Sequence, residues 1–257
     1  MAIEVGKFTL FEFPPYFFFA VLGFAVSVSC YMILLLISNT KVSKKNLLLC
    51  LFAAIGVLLG ARLFGCLTNI AIVLYTKKRI GMDVVYRAGL VYYGGLLGGV
   101  FFYWVGVRML FRNQYGASLI NSMAVSIPLF HVFGRLGCLF AGCCYGKEYH
   151  GYGHINYIRD CVITETLPVQ LLESMMELSI FCFMLVTYCT TVKNTNKNML
   201  IIYFILYSIG RFFMEFLRGD GNRGFFGLLS FSQIVSIVIF MISIFFSFKR
   251  GVKNEIR

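Results

Sequence analysis

Seven stretches of the chain are apolar with few interruptions, at residues 13–37, 47–75, 88–107, 118–140, 169–192, 199–217 and 225–248. Each is long enough for a helix to cross about 30 Å of hydrocarbon, which takes roughly 20 residues. The pattern therefore predicts an all-α, polytopic membrane protein, with residues 1–257 forming one integral membrane domain. The first stretch is too long for the apolar region of a signal peptide and is not followed by a small-residue cleavage site, so it is expected to remain as a helix. The 47–75 stretch exceeds the bilayer thickness and has to tilt or end in the interface. The longest connection, 141–168, is polar, carries Gly151, Gly153, His150 and His154, and has no obvious regular structure. Connections of that length are often functional.

Composition supports the pattern. Of 257 residues, 59% are hydrophobic and 13% are charged, against about 25% charged in an average soluble domain. The net charge of +12 would raise the question of nucleic acid in a soluble protein. Here the basic residues sit between apolar stretches and form no stripe with aromatics, so nucleic acid is excluded as a partner and membrane topology explains the charge. With the N-terminus outside, segments 39–46, 108–117, 193–198 and 249–257 are cytoplasmic and hold 11 basic residues in 33 positions. The outer segments 1–12, 76–87, 141–168 and 218–224 hold 9 in 59. That difference favours an N-out, C-in arrangement, against the local trend of Lys77, Lys78 and Arg79.

Charge inside the spans carries the chemistry. An arginine at the centre of a spanning helix costs about 2.5–3.5 kcal/mol on insertion scales, so it is kept only toward a protein-lined or wet cavity. Arg62, Arg135 and Arg211 lie within predicted spans, with Glu215 one turn beyond Arg211 and His131 one turn before Arg135. Residues four apart share a helix face. Arg211–Glu215 can be a mutually neutralising pair, His131 a satisfied interior histidine, and Arg62 bonded to helix carbonyls. Alternatively, arginines from two helices converge on an anion: the guanidinium grips phosphate through parallel hydrogen bonds and keeps its charge when buried. In a membrane the abundant phosphate-bearing anion is a phospholipid. Arg62 lies in GVLLGARLFG and residues 92–99 read YYGGLLGG; glycines of this kind permit close approach of helices.

Most of the nine cysteines are scattered through apolar stretches, where cysteine behaves as a small hydrophobe, and they form no disulfide framework. Cys138, Cys143 and Cys144 cluster. With His131, His150 and His154 they leave open a metal or redox membrane protein, although they match no standard zinc spacing. A third class, a lipid-binding protein or transporter, would favour internal repeats, and none is evident.

Taken in order, the motifs resemble the prolipoprotein diacylglyceryl transferase family. HVFGRLGCLFAGCCYG (131–146) is similar to that family's signature G-R-x-G-N-F-x-N-G-E-x-x-G. LPVQLLE (167–173) resembles its H-P-x-Q-L-Y-E, and YSIGRFFMEFLRGD (207–220) its Y-x-x-x-R-F-x-x-E-F-x-R-x-D. GLVYYGGLLGG (89–99) resembles its histidine-glycine-glycine region, GARLF (60–64) and LSFSQ (229–233) fall in the same order, and Tyr16 matches an N-terminal tyrosine. Cys138 and Cys143 stand where the signature has Asn and Glu, and Tyr93 stands at the histidine.

The resemblance implies a bacterial cytoplasmic-membrane transferase of lipoprotein biosynthesis. It would move diacylglyceryl from phosphatidylglycerol to the lipobox cysteine thiol carried by a preprolipoprotein signal peptide, releasing glycerol-1-phosphate. Arg135 and Arg211 would hold the phosphate, Glu215 would hold Arg211, and His131 would be the replacement base. A tyrosine, with an ordinary pKa of about 10, is a poor base, so Tyr93 would position lipid. Tyr16, Gly94, Gly95, Cys138 and Cys143 complete the expected substrate site. No metal and no cofactor is expected, and a divergent member acting on another thiol is the alternative.

Overall fold

A computed structural model describes residues 2–4, 14–75, 89, 91–112, 115–159, 162–191, 198–219 and 225–255. Among these residues, seven helices are long and apolar enough to cross a membrane: α1 (Pro15–Ile37), α2 (Lys44–Tyr75), α3 (Tyr92–Phe111), α4 (Gly116–Ala141), α5 (Val169–Thr191), α6 (Met199–Met214), which continues into a short 3₁₀ turn at Glu215–Leu217, and α7 (Phe231–Glu255). The chain is an all-α multi-pass membrane protein. Lys77, Lys78 and Arg79, which bear on orientation, lie outside the described residues.

Helix ends follow local chemistry. At α7, Ser230 N donates to Gln233 Oε1 (2.9 Å) and Gln233 N to Ser230 Oγ (3.2 Å), a reciprocal cap that satisfies two otherwise orphaned donors. This cap starts α7 at Phe231, later than the apolar run beginning at 225. Residues 225–230 instead form a two-stranded hairpin, β4 (Phe225–Phe226) with β5 (Leu229–Ser230).

Leu58, Leu63, Val186, Phe213 and Phe245 are all more than half exposed, an outer surface suited to lipid rather than water. The interior is more polar. α4 lies at the centre, packed against α1, α5, α6 and α3, with 56% of its apolar window buried. α2 and α3 pack through glycines: a Cβ on Gly56 or Gly60 would collide with the backbone of Gly98 and Gly94. The absence of side chains lets the two backbones touch, the small-residue mode of membrane helix association.

The 141–168 connection is more ordered than the sequence indicates. β2 (Ile155–Arg159) and β3 (Val162–Thr166) pair antiparallel, and β1 (Ala2–Glu4) joins β2 in parallel. Leu139, Ile155 and Tyr157 form a small core beneath the sheet. The sheet thereby sits over the end of α4 that carries Arg135 and the cysteines.

Candidate active site

α4 and α5 are joined through the 141–168 connection and run antiparallel. Each carries two ionisable residues four positions apart, on one face. His131 and Arg135 on α4 meet Glu177 and Glu173 on α5. His131 Nδ1 lies 2.8 Å from Glu177 Oε1, and Arg135 Nε lies 2.6 Å from Glu173 Oε2. From α6, Arg211 Nη1 pairs with the other oxygen of Glu173, and its Nη2 donates to Glu215 Oε2 (2.6 Å). Glu173 therefore bridges the two arginines. All six residues are buried.

Buried charge is tolerated when it is paired, and this network pairs its charges by alternating sign, with Arg211 also hydrogen-bonded to Glu173 and Glu215. Its hydrogen-bonding capacity is not exhausted. A guanidinium has five N–H donors, and Arg135 Nε and Glu173 Oε2, though 2.6 Å apart, are not aligned as a hydrogen bond. Near the network, Tyr207 OH, Glu177 Oε2 and Gln170 Oε1 are buried without a hydrogen-bond partner in the structure. Most buried polar atoms are satisfied, so this leftover capacity around two arginines makes the place a candidate site for a polar ligand.

An aromatic wall closes one side. Tyr92 stacks on His131 with ring centroids 3.7 Å apart, and its hydroxyl lies 2.8 Å from that of Tyr203. Tyr207 packs against Tyr92, Tyr93, Tyr203 and His131. Tyr93 is buried, with its hydroxyl 2.5 Å from Ser236 Oγ on α7. Between α6 and α7 an apolar crevice of about 180 Å³, lined by Ser208, Phe212, Phe213, Ser236 and Phe240 among others, flanks the helix turn that carries Arg211.

On the other side lie the cysteines. α4 ends at Gly142, whose φ of 66° is readily reached by glycine. The turn that follows folds the chain back on itself, so that Cys143 N donates to Cys138 O (3.2 Å). Cys144 keeps a left-handed backbone, with φ 60°. The three Sγ atoms lie within 4.8 Å of one another. Hydrogen bonds from Cys138 and Cys143, with Arg135 and Arg218 nearby, hold the Cys144 thiol well below its ordinary value. The Cys143 thiol rises to about 11: its bond with Cys138 acts downward but is outweighed by the bond to Cys144 and by burial. The turn is anchored from α5 and the sheet, since Gln170 Nε2 donates to Cys143 O (2.7 Å) and to Tyr157 OH (3.0 Å). Tyr157 donates in turn to Leu139 O (3.2 Å), and burial pushes its phenol up to about 12. Gly219 N donates to Tyr145 O (3.1 Å), which clasps the end of the α6 segment, with Arg218, onto the same turn.

The structure thus brings together Arg135, Arg211, Glu215 and His131, with Cys138 and Cys143 beside Arg135. Tyr16, at the start of α1, faces the same end of α4: a Cβ on Gly137 would lie 3.3 Å from Tyr16 Cα. Gly94 and Gly95 are placed elsewhere, facing Gly60, Phe64, Val57 and Ala61 of α2, so the role they show is helix packing. Arg62 is exposed on α2. His150 pairs with Glu165 (2.7 Å) and His154 with Gly151 O (2.9 Å); among the described residues no histidine joins the cysteine group. The sequence reading gave no role to Glu173, Glu177, Gln170, Tyr92 and Tyr207, although all but Glu177 lie in the motifs quoted above. For the two glutamates a signal was present: carboxylates four apart inside an apolar run, subject to the same cost argument as the arginines.

Residues 3–249 match the prolipoprotein diacylglyceryl transferase family. The chain is 34% identical over 194 residues to phosphatidylglycerol–prolipoprotein diacylglyceryl transferase 2 of Clostridium perfringens, covering 74% of this chain and 72% of that protein. It is 29% identical over 194 residues to the corresponding transferase of Clostridium tetani, covering 74% and 75%. With the transferase of Campylobacter hominis it shares 28% identity over 265 residues, covering 96% and 91%. On this whole-chain match, together with the paired arginines inside the bundle, the chain belongs to the prolipoprotein diacylglyceryl transferase family.

Proposed function

We infer that this protein transfers the diacylglyceryl group of phosphatidylglycerol to the cysteine thiol of a prolipoprotein. The observation that carries the reading is the convergence of Arg135 and Arg211, from separate helices, on one buried carboxylate, Glu173. Two guanidiniums held at a common point in a dry site are set to meet an anion. As the bond between the glyceryl carbon and the phosphate oxygen breaks, charge gathers on the leaving phosphate. Preorganised donors stabilise such charge far more than water can. Glu173 and Glu215 hold the arginines in place, Tyr207 offers its unpartnered hydroxyl to the headgroup, and the crevice between α6 and α7 takes an acyl chain. His131, oriented by Glu177, is the candidate proton acceptor for the incoming thiol, which attacks as thiolate. Tyr93 and Tyr16 position the lipid and the signal peptide.

The test is direct. Purified protein with radiolabelled phosphatidylglycerol and a lipobox peptide is expected to yield labelled thioether peptide and one glycerol phosphate per transfer. No labelled peptide and no released glycerol phosphate from folded protein would overturn the reading.

The same reading places the N-terminus outside and the C-terminus in the cytoplasm of a bacterial inner membrane. Lys41, Lys45 and Arg112 line one shared cleft, at the end of the bundle opposite the cysteines, as a cytoplasmic basic face requires. Reporter fusions after Lys44 and at Arg257 are expected both to score as cytoplasmic; opposite compartments would refute the arrangement.

A further inference from the structure

We propose that Cys138, Cys143 and Cys144 form a three-sulfur site for a thiophilic divalent cation, zinc by its chemistry, with a fourth position open to the acceptor's cysteine sulfur. The part concerning the acceptor rests on the diacylglyceryl transfer inferred above; the metal site stands on its own geometry.

Three sulfurs already lie within 4.8 Å of one another. Zinc binds thiolate at about 2.3 Å in a tetrahedron, so bound sulfurs stand roughly 3.8 Å apart. Closure by an ångström or less completes the set. A second observation separates this cluster from ordinary apolar cysteine. Cys144 holds φ 60°, a backbone state uncommon for a side-chain-bearing residue and one that collects at functional sites. A packing role does not need that backbone, since Cys143 is exposed and Cys144 only part-buried. The turn is held by Gln170 from α5 and by the Gly219–Tyr145 bond, so the site is supported from two further segments.

Three protein ligands with one open position is the arrangement of catalytic zinc, and a thiol that coordinates the ion is deprotonated outright. The acceptor thiol would give up its proton to water as it joins the metal. Its sulfur pair then forms the bond to the glyceryl carbon. The carbon–oxygen bond to phosphate breaks, and its electron pair leaves on the phosphate oxygen beside Arg135 and Arg211. No group is oxidised or reduced. The neutral thioether is a weaker ligand than the thiolate, which frees the product. In this scheme the metal, rather than His131, activates the thiol, and His131 with Glu177 keeps a positioning role in the buried network.

The probe is Co²⁺ titrated into the full-length protein in detergent, with Zn²⁺ as competitor. We expect one cobalt per chain with sulfur-to-cobalt charge-transfer absorption. This stoichiometric binding should be lost in Cys143→Ser and in Cys144→Ser, and unchanged in Cys182→Ser, an exposed cysteine outside the cluster. A lipobox peptide should shift the visible cobalt bands, whereas the same peptide with serine for cysteine should not. Protein that transfers lipid yet binds neither ion stoichiometrically would overturn the site. Binding with no peptide-induced shift would overturn the activation step. A shift without any lipid transfer would support the metal site and count against the transferase reading instead.

Discussion

Arg135→Lys and Arg211→Lys are each expected to lose most transfer activity while keeping their charge. Lysine is a point charge on a flexible stem and cannot reproduce the planar fork that grips phosphate through two bonds. Arg135 is engaged by Glu173 at Nε, and Arg211 divides Nη1 and Nη2 between Glu173 and Glu215. A single ammonium cannot serve the carboxylates and the phosphate together. Removing one preorganised donor at a developing oxyanion costs about 2.7–4 kcal/mol, a factor of about 10²–10³ in rate. Because both arginines share Glu173, the double variant should lose little more than either single one. Arg62→Lys, on an exposed position of α2, should be tolerated. The measurement is transfer of labelled lipid to a lipobox peptide, with folding checked for each variant. Near-normal transfer by a folded Arg135→Lys or Arg211→Lys protein would remove the phosphate clamp.

Glu173→Gln should have a comparably large effect by a different route. The substitution preserves shape but removes the carboxylate that Arg135 and Arg211 share, leaving Glu215 as the one paired with Arg211. Removing one partner of a buried ion pair costs about 3–5 kcal/mol, because a charge stays behind uncompensated. Thermal inactivation in detergent should therefore move to clearly lower temperature. The variant also separates a binding site from a purely structural network. An anionic phospholipid can supply the missing negative charge, so added phosphatidylglycerol should restore stability more than zwitterionic phosphatidylcholine does. Equal rescue by both lipids would show that the arginines do not face the headgroup. Transfer should fall in either lipid, since the two guanidiniums lose their common anchor.

The first prediction rests on arginines legible in the sequence and the second on Glu173, which was given no role there, and the reason is physical. Arg211 and Glu215 were legible as a pair because four residues along a helix return to the same face, and they are hydrogen-bonded at 2.6 Å. His131 and Arg135 were legible as neighbours in the same way. Their partners Glu177 and Glu173 stand 46 and 38 positions downstream, on another helix. No periodicity within α4 points to them.

The cysteines divide similarly. Cys143 and Cys144 are adjacent, and Cys138 is close in sequence, so a cluster was visible. That the three sulfurs meet depends on the positive φ values of Gly142 and Cys144, which fold the turn back onto α4. Gly94 and Gly95 show the reverse case: a motif read as substrate-binding packs against α2, because a Cβ-free surface is equally suited to a neighbouring helix.

By itself the sequence determined the seven spans, the membrane as solvent and the presence of ionisable groups inside it. Each follows from local composition and from the cost of burying charge in hydrocarbon. The tertiary structure alone decided which charges pair, that Glu173 joins two arginines, and that a sheet anchors the cysteine turn. β1 shows why: Ala2–Glu4 pairs with Asn156–Ile158, and no three-residue segment encodes a partner so far along the chain. Pairing across helices and strands is set by packing of the whole bundle, and local sequence carries no record of it.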